Sequence, residues 1–171
     1  NLDLVGLTDI GITTEVEETG STYAENAELK ARAYSKMSGL LTLADDSGIE
    51  VEALSGRPGV YSARYAANPA ARIEKMLAEM IDVPDEKRLA RFQCAITLAW
   101  PDGRFQTVTG TCEGVVAHEP RGLGGFGFDP IFYFPEYNAT MAELPIEVKN
   151  QISHRGRAAQ QARKILVETI R

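Results

Sequence analysis

Cysteine, histidine and tryptophan are scarce in this chain, at two, two and one residues, and no apolar run is long. The two cysteines, Cys94 and Cys112, lie far outside the Cys-x-x-Cys spacing of a zinc or thiol-redox motif. Both fall in apolar, strand-like stretches, so they are expected to be reduced and packed, as in a cytoplasmic protein. No stretch approaches the roughly 18 apolar residues that a membrane span requires, which excludes a membrane-embedded chain. No secretory signal is visible, but the sequence opens on Asn1 and not on a methionine, so residues ahead of it are expected. Basic residues are outnumbered: 18 Lys and Arg face 24 Asp and Glu, a net charge of −6. That argues against nucleic acid as a partner, since duplex binding needs a broad basic surface, and leaves room for a small anion held by a few cations.

Several nucleotide and hydrolase motifs are missing as well. There is no G-x-x-x-x-G-K-[ST], no G-x-S-x-G and no H-E-x-x-H. Gly122, Gly124 and Gly127 match G-x-G-x-x-G in form. That fingerprint must open a helix whose N-terminus holds a pyrophosphate, whereas these glycines run into the strand-like Phe128-Asp129-Pro130-Ile131-Phe132-Tyr133-Phe134, so a Rossmann site is rejected.

What is present reads as one soluble domain over residues 1–171, 44% hydrophobic and 25% charged, built either as one unit or as two small lobes on a shared core. "LDLVGLTDIGI" reads as an edge strand and loop. "STYAENAELKARAYSKMSG" is a helix, with a capping box from Thr22 and Glu25 and Gly39 at the C-terminal cap position. "LLTLA" reads as a short buried strand and "GIEVEAL" as a half-exposed one, with "DDSG" between them. "GRPGVYSARYA" is turn chemistry. "PAARIEKMLAEMI" has helical spacing with Pro69 in its first turn. "RFQCAITLAW" and "RFQTVTGTCEGVVAH" form a long hairpin about Asp102-Gly103. "FDPIFYF" is a further strand, and a last helix runs to Ile170 with Ser153 as N-cap. β and α segments interleave, so the fold class is α/β with a mixed rather than purely parallel sheet and flanking helices.

Three stretches can carry chemistry. Asp45 and Asp46 stand where an apolar run stops. Successive strand side chains face opposite ways, so only one of them reaches a given cleft unless the strand bends, and an Asx turn is the plainer explanation. In "GLGGFGFDPIF" a flexible backbone can approach a ligand, beside Phe126 and Phe128, whose rings can pack on a planar base or simply join the core. In "KNQISHRGR", Lys149 precedes the last helix and His154, Arg155 and Arg157 fill its first turn. Cations are unfavourable at a helix N-terminus, so their clustering there points to an anion site; His118 is read as a surface residue. A divalent ion needs a second acid, and Glu17 is favoured because Glu25 already serves the capping box. Mg²⁺ takes one or two carboxylates and bridges to phosphates, which suits phosphoryl chemistry.

In this order, "LADDSGIEVEALSGRPGVYSARYA", "GGFGFDPIF" and "ISHRGRA", together with "TYAENAELKA" and "ARFQCAITL", resemble the signature segments of the inosine triphosphate pyrophosphatase family, over nearly the whole chain. The resemblance implies an elongated mixed α/β fold of two lobes around a central active-site cleft, and a homodimer in the cytoplasm. It implies hydrolysis of ITP, dITP and XTP between the α- and β-phosphates, with Mg²⁺, to a nucleoside monophosphate and pyrophosphate. By motif, Asp46 would be general base and metal ligand, Glu17 the other metal ligand and Ser47 a substrate contact. Phe126, Gly127, Phe128 and Asp129 would line the base pocket, and Lys149, His154 and Arg155 would complete the base and phosphate contacts. Asp46 would turn inward at the strand end and Asp45 toward the scaffold. The family opens with a TGN-x-GK-x-x-E-like segment whose lysine holds the triphosphate, expected ahead of Asn1, and the stretch between "SARYA" and "ARIEKML" is short for it. Two other readings follow from those departures and from the motif set: a nucleotide-binding module without turnover, and a related pyrophosphatase for other modified nucleotides.

Overall fold

The computed structural model describes residues 3–169; Asn1, Leu2, Ile170 and Arg171, including the start of the expected N-terminal strand and the last residue of the expected final helix, lie outside the described residues. From Asp3 to Gly20 no strand forms: Thr8–Ile10 is a single 3₁₀ turn, so the expected edge strand is corrected. The apolar residues there, Leu4 and Val5, are exposed and meet no neighbouring strand.

Helix α1 (Tyr23–Ser38) is capped as its sequence demands. The Thr22 hydroxyl accepts from the Glu25 N–H, the Glu25 carboxylate returns to the Thr22 N–H, and Gly39 ends the helix at φ 68°. Strand β1 (Thr42–Val51) follows. Two short strands had been expected on either side of "DDSG", with a cleft at the end of the first. Instead β1 runs unbroken through the acids, paired antiparallel with β2 (Leu89–Ala99) from Thr42↔Ala99 to Val51↔Ala90. The continuous ladder outweighs the local turn preference of Asp and Gly, because strand propensity yields to pairing and packing.

Helix α2 (Pro69–Glu79) starts at Asn68, whose side chain accepts from the Ala71 N–H. β2 and β3 (Phe105–Val116) form the expected hairpin. β4 (Phe132–Phe134) is shorter than expected, because Asp129–Ile131 coil into a 3₁₀ turn about Pro130; β5 (Ala139–Thr140) completes the sheet. Helix α3 (Ile146–Ile152) was not foreseen, and it places Lys149 inside a helix rather than ahead of one. Helix α4 (His154–Thr169) begins as expected, the Ser153 hydroxyl accepting from the Gly156 N–H at 3.0 Å.

The α/β class with flanking helices holds. Among the described residues the sheet order is β1-β2-β3-β4-β5 and each pairing is antiparallel, so the sheet contains no parallel pair of the kind a mixed sheet would carry. Chain neighbours are sheet neighbours throughout, which leaves no crossover to set two strands parallel. One face of the sheet carries Ile49, Val51 and Phe92 against Met76, Met80, Phe132 and Met141, and beside them Cys94, Ile96 and Leu98 under Ala158 and Ala162 of α4. The other face carries Ala95 under Tyr23 and Ala27 of α1. The helices on the two sides thus read alternate residues of the same strands. Both cysteines are free and buried, and burial pushes their thiols up to about 12 for Cys94 and about 11 for Cys112.

Candidate active site

Because β1 is the outermost strand among the described residues, residues of both its faces reach one cleft of about 340 Å³, lined among others by Lys30, Asp45, Asp46, Ser47, Arg72, Phe126, Phe128, His154 and Arg155. This resolves the difficulty of two adjacent acids. No bend is needed, since the cleft takes in residues 45–48 of β1, which pair only with β2 among the described residues.

Asp46 lies on the α1 side. Its Oδ2 accepts from Asn26 Nδ2 at 3.1 Å, and Lys30 Nζ stands 3.7 Å from its Oδ1 while donating to Glu18. Asn26 and Lys30 are one helical turn apart and so share a face of α1. Asn26 is fully buried, and its Oδ1 accepts from the Gly20 N–H at 2.8 Å, tying the loop that carries Glu17 and Glu18 to the same carboxylate. Burial raises the pKa of Asp46, and the Asn26 amide and Lys30 oppose that rise.

Asp45 and Ser47 lie on the α4 side. Asp45 Oδ2 accepts from Arg155 Nε at 2.9 Å and Nη2 at 2.8 Å, and Nη2 also reaches Ser47 Oγ at 3.2 Å. The same guanidinium covers the Phe126 ring at 4.9 Å. Asp129, buried, accepts from the Phe126 N–H at 3.1 Å and from Lys149 Nζ at 2.7 Å. Gly125 is required here, since at φ 80° an added Cβ would come within 2.0 Å of the Asp129 carboxylate. Phe128 is buried edge-on to Tyr65, whereas Phe126 is 59% exposed at the cleft mouth.

His154 is buried and stacked on Phe92, rings 4.5 Å apart and 11° from parallel. Burial, with Arg155 and Lys149 adding to it, lowers its pKa to about 3. It is therefore a neutral ring at neutral pH. The unfolded chain binds a proton at His154 below about pH 6.5, while the fold resists doing so down to about 3. The contribution is fully present above about 6.5 and is lost as pH falls toward about 3, at a slope of up to about 1.4 kcal/mol per pH unit. Urea midpoints measured from pH 7.5 to 4.5 should fall less steeply in His154→Gln than in the parent, and parallel curves would exclude this histidine as the source.

The structure brings together Asp46, Ser47, Phe126, Gly127, Phe128, His154 and Arg155 in the cleft wall, with Asp129 and Lys149 bonded to its Phe126 loop. Glu17 is exposed and is not in that wall; Glu18 is the acid that shares Lys30 with Asp46. The cations about the α4 start do not form a free cluster. Lys149 is paired with Asp129, Arg155 with Asp45, and Arg157 donates to the Thr111 carbonyl on β3. Arg72, Lys30, Asn26 and Glu18 were missed by sequence reasoning. A buried asparagine within the Tyr23, Ala27, Ala31 stripe of α1 was the signal available. Arg72 donates from Nε to the Ala66 carbonyl and has no carboxylate partner among the described residues. Also among the described residues, no three His, Cys, Asp or Glu side chains converge as a metal cage. His118 is exposed and paired with Asp85, as a surface residue should be.

The chain is similar to known proteins in sequence and in structure. The sequence pattern of the Ham1 family matches residues 1–165. A dITP/XTP pyrophosphatase of Desulforamulus reducens is 54% identical over 156 residues, covering 90% of this chain and 78% of the relative. A dITP/XTP pyrophosphatase of Geobacillus kaustophilus is 52% identical over 160 residues, covering 92% and 78% respectively. Among solved structures, the Staphylococcus aureus Ham1 protein superposes with a TM-score of 0.87 at 43% identity, covering 98% of this chain and 87% of that one.

Proposed function

The chain belongs to the Ham1 family, and from that premise we propose that it is a nucleoside-triphosphate pyrophosphatase clearing deaminated purine nucleotides, dITP, ITP and XTP, as monophosphate and pyrophosphate. The observation that carries this reading is the identity of 54% across 90% of the chain to a protein named dITP/XTP pyrophosphatase. The cleft is compatible with it, having part-buried carboxylates and aromatic rings in one wall.

In the proposed mechanism the base lies among Phe126, Phe128 and neutral His154, which offer flat apolar surface. The phosphates extend toward Lys30 and Arg72. Asp46 accepts a proton from water, the water oxygen bonds to phosphorus, and the α–β bridging oxygen leaves with its electron pair as part of pyrophosphate. Mg²⁺ suits such a donor set, since it takes one or two carboxylates and leaves its other positions to water and phosphate. Asp46 would hold it with an acid of the Glu17–Glu18 pair, of which Glu18 already shares Lys30 with Asp46. Bound there, the ion would neutralise phosphate charge and acidify water. Asn26 fixes the Asp46 rotamer, and Lys30 limits repulsion between Glu18 and Asp46. A homodimer in the cytoplasm belongs to the same proposal; among the described residues no helix is long and apolar enough to cross a membrane.

The test is pyrophosphate release by the full-length protein with Mg²⁺ across ITP, dITP, XTP, GTP and ATP. Preference for the first three is expected. Binding of ITP without release would leave a nucleotide-binding module, and release from modified pyrimidines alone would place the chain with a different substrate class.

A further inference from the structure

We propose that Asp45 determines specificity as a positioning residue: it clamps one edge of the Arg155 guanidinium so that the opposite edge is offered, in a fixed direction, to the 6-oxo group of the bound purine. The inference rests on the pyrophosphatase reading of the cleft.

A guanidinium is planar and carries five N–H donors in a rigid fork. In Arg155, Nε and one N–H of Nη2 go to Asp45, at 2.9 and 2.8 Å, and Nη2 reaches Ser47 at 3.2 Å. Those contacts consume one whole edge. Nη1 has no hydrogen-bond partner among the described residues, and planarity fixes its direction once the other edge is held. Phe126 lies against the guanidinium at 4.9 Å and restrains its tilt. Asp45 and Ser47 are two residues apart on one strand face, so a regular pleat supplies both anchors.

Charge makes the same assignment. An arginine neutralised by its own carboxylate is a weak phosphate ligand but remains a donor, which fits it to an uncharged carbonyl. Arg72, which lines the same cleft, has no such carboxylate among the described residues and is the better phosphate ligand on charge. A 6-oxo purine accepts from Nη1, whereas a 6-amino purine turns donors toward donors and leaves them unpaired in a partly desolvated site. Guanine also carries a 6-oxo group, so the clamp separates ITP from ATP and has no part in separating ITP from GTP.

The experiment compares kcat/KM for ITP, GTP and ATP in full-length parent, Asp45→Asn, Ser47→Ala and Arg155→Ala, with thermal midpoints alongside. Asp45→Asn is expected to lower the ITP/ATP ratio by roughly tenfold or more, mainly through KM for ITP, with the ITP/GTP ratio unchanged. Ser47→Ala should lower the ITP/ATP ratio by a smaller factor. A parallel loss for all three nucleotides in Asp45→Asn would show a structural role and overturn the proposal. Should that variant not fold, an unchanged ITP/ATP ratio in Ser47→Ala overturns it instead. If Arg155→Ala also leaves that ratio intact, the base-reading role of Arg155 itself is wrong. If Arg155→Ala abolishes selectivity while Asp45→Asn preserves it, only the clamp fails.

Discussion

Asp46→Asn is expected to lower kcat by about a thousandfold while nucleotide affinity changes only a few-fold, the magnitude being that of a lost general base. The substitution keeps shape and the capacity to accept from Asn26 Nδ2, so α1 and β1 should stay in place. What disappears is the negative charge proposed to take the proton and to hold the metal. Stability should not fall with activity. Burial disfavours the ionised Asp46, and the carboxyl pKa is raised as a result. A neutral amide avoids that desolvation cost, although Lys30 then relies on Glu18 alone. A thermal midpoint equal to or above the parent, with pyrophosphate release near background and ITP binding retained by calorimetry, is the expected triple result. A kcat within tenfold of the parent would remove Asp46 from the chemistry.

Gly110→Ala should destabilise the fold by about 3 kcal/mol, the upper part of the range for forcing atoms into a packed interior. Gly110 sits in the middle of β3, where α4 begins against the sheet. An added Cβ would stand 2.1 Å from the His154 carbonyl oxygen and 2.5 Å from the Ala158 nitrogen. Both obstacles are backbone, so no rotamer change relieves them, and the helix start must move away from the strand. For a chain of this size, about 3 kcal/mol corresponds to a fall of roughly 6–12 °C in Tm. The same displacement moves His154 and Arg155, so KM for ITP should rise in the molecules that remain folded. Gly103→Ala separates crowding from backbone strain. It places a Cβ at φ 92° in the hairpin turn with nothing within 4 Å, and its cost should be nearer 1 kcal/mol. Equal losses in the two variants would show that the α4–β3 approach is not tight.

The helices with strong end signals were legible residue by residue. Thr22, Glu25 and Gly39 bound α1, and Ser153 opens α4, because caps are local chemistry and need no tertiary partner. The β2–β3 hairpin was legible for the same reason, its turn lying at Asp102-Gly103 between two apolar strands. The continuity of β1 was not, because Asp-Asp-Ser-Gly is a turn sequence until ten residues of β2 pair with it. Helix α3 escaped notice because it is seven residues long and its Pro145 start makes no side-chain cap. Of the cleft wall, Asp46, Ser47, Phe126 and Arg155 were recognisable from linear motifs. Asn26, Lys30, Glu18 and Arg72 were not, since each matters through a partner far away in the chain or through the wall that it happens to line. The cation cluster at α4 looked anomalous because its counter-charges, Asp45 and Asp129, come from distant segments.

The pleat of β1 sets a rule for how this protein can change over generations. Asp45 and Asp46 are adjacent in the chain yet work on opposite sides of the strand, one through α4 and the other beside α1. Their separation is by parity, since side chains alternate with a period of two. With the roles proposed for the two acids, point substitutions on the Asp45 side would adjust which nucleotide is accepted while the Asp46 side is inherited intact. An insertion or deletion of a single residue within the strand ahead of Asp45 has a different character. It would exchange the two acids between faces in one step, making a lineage tolerant of substitution in this segment but intolerant of any odd change in its length.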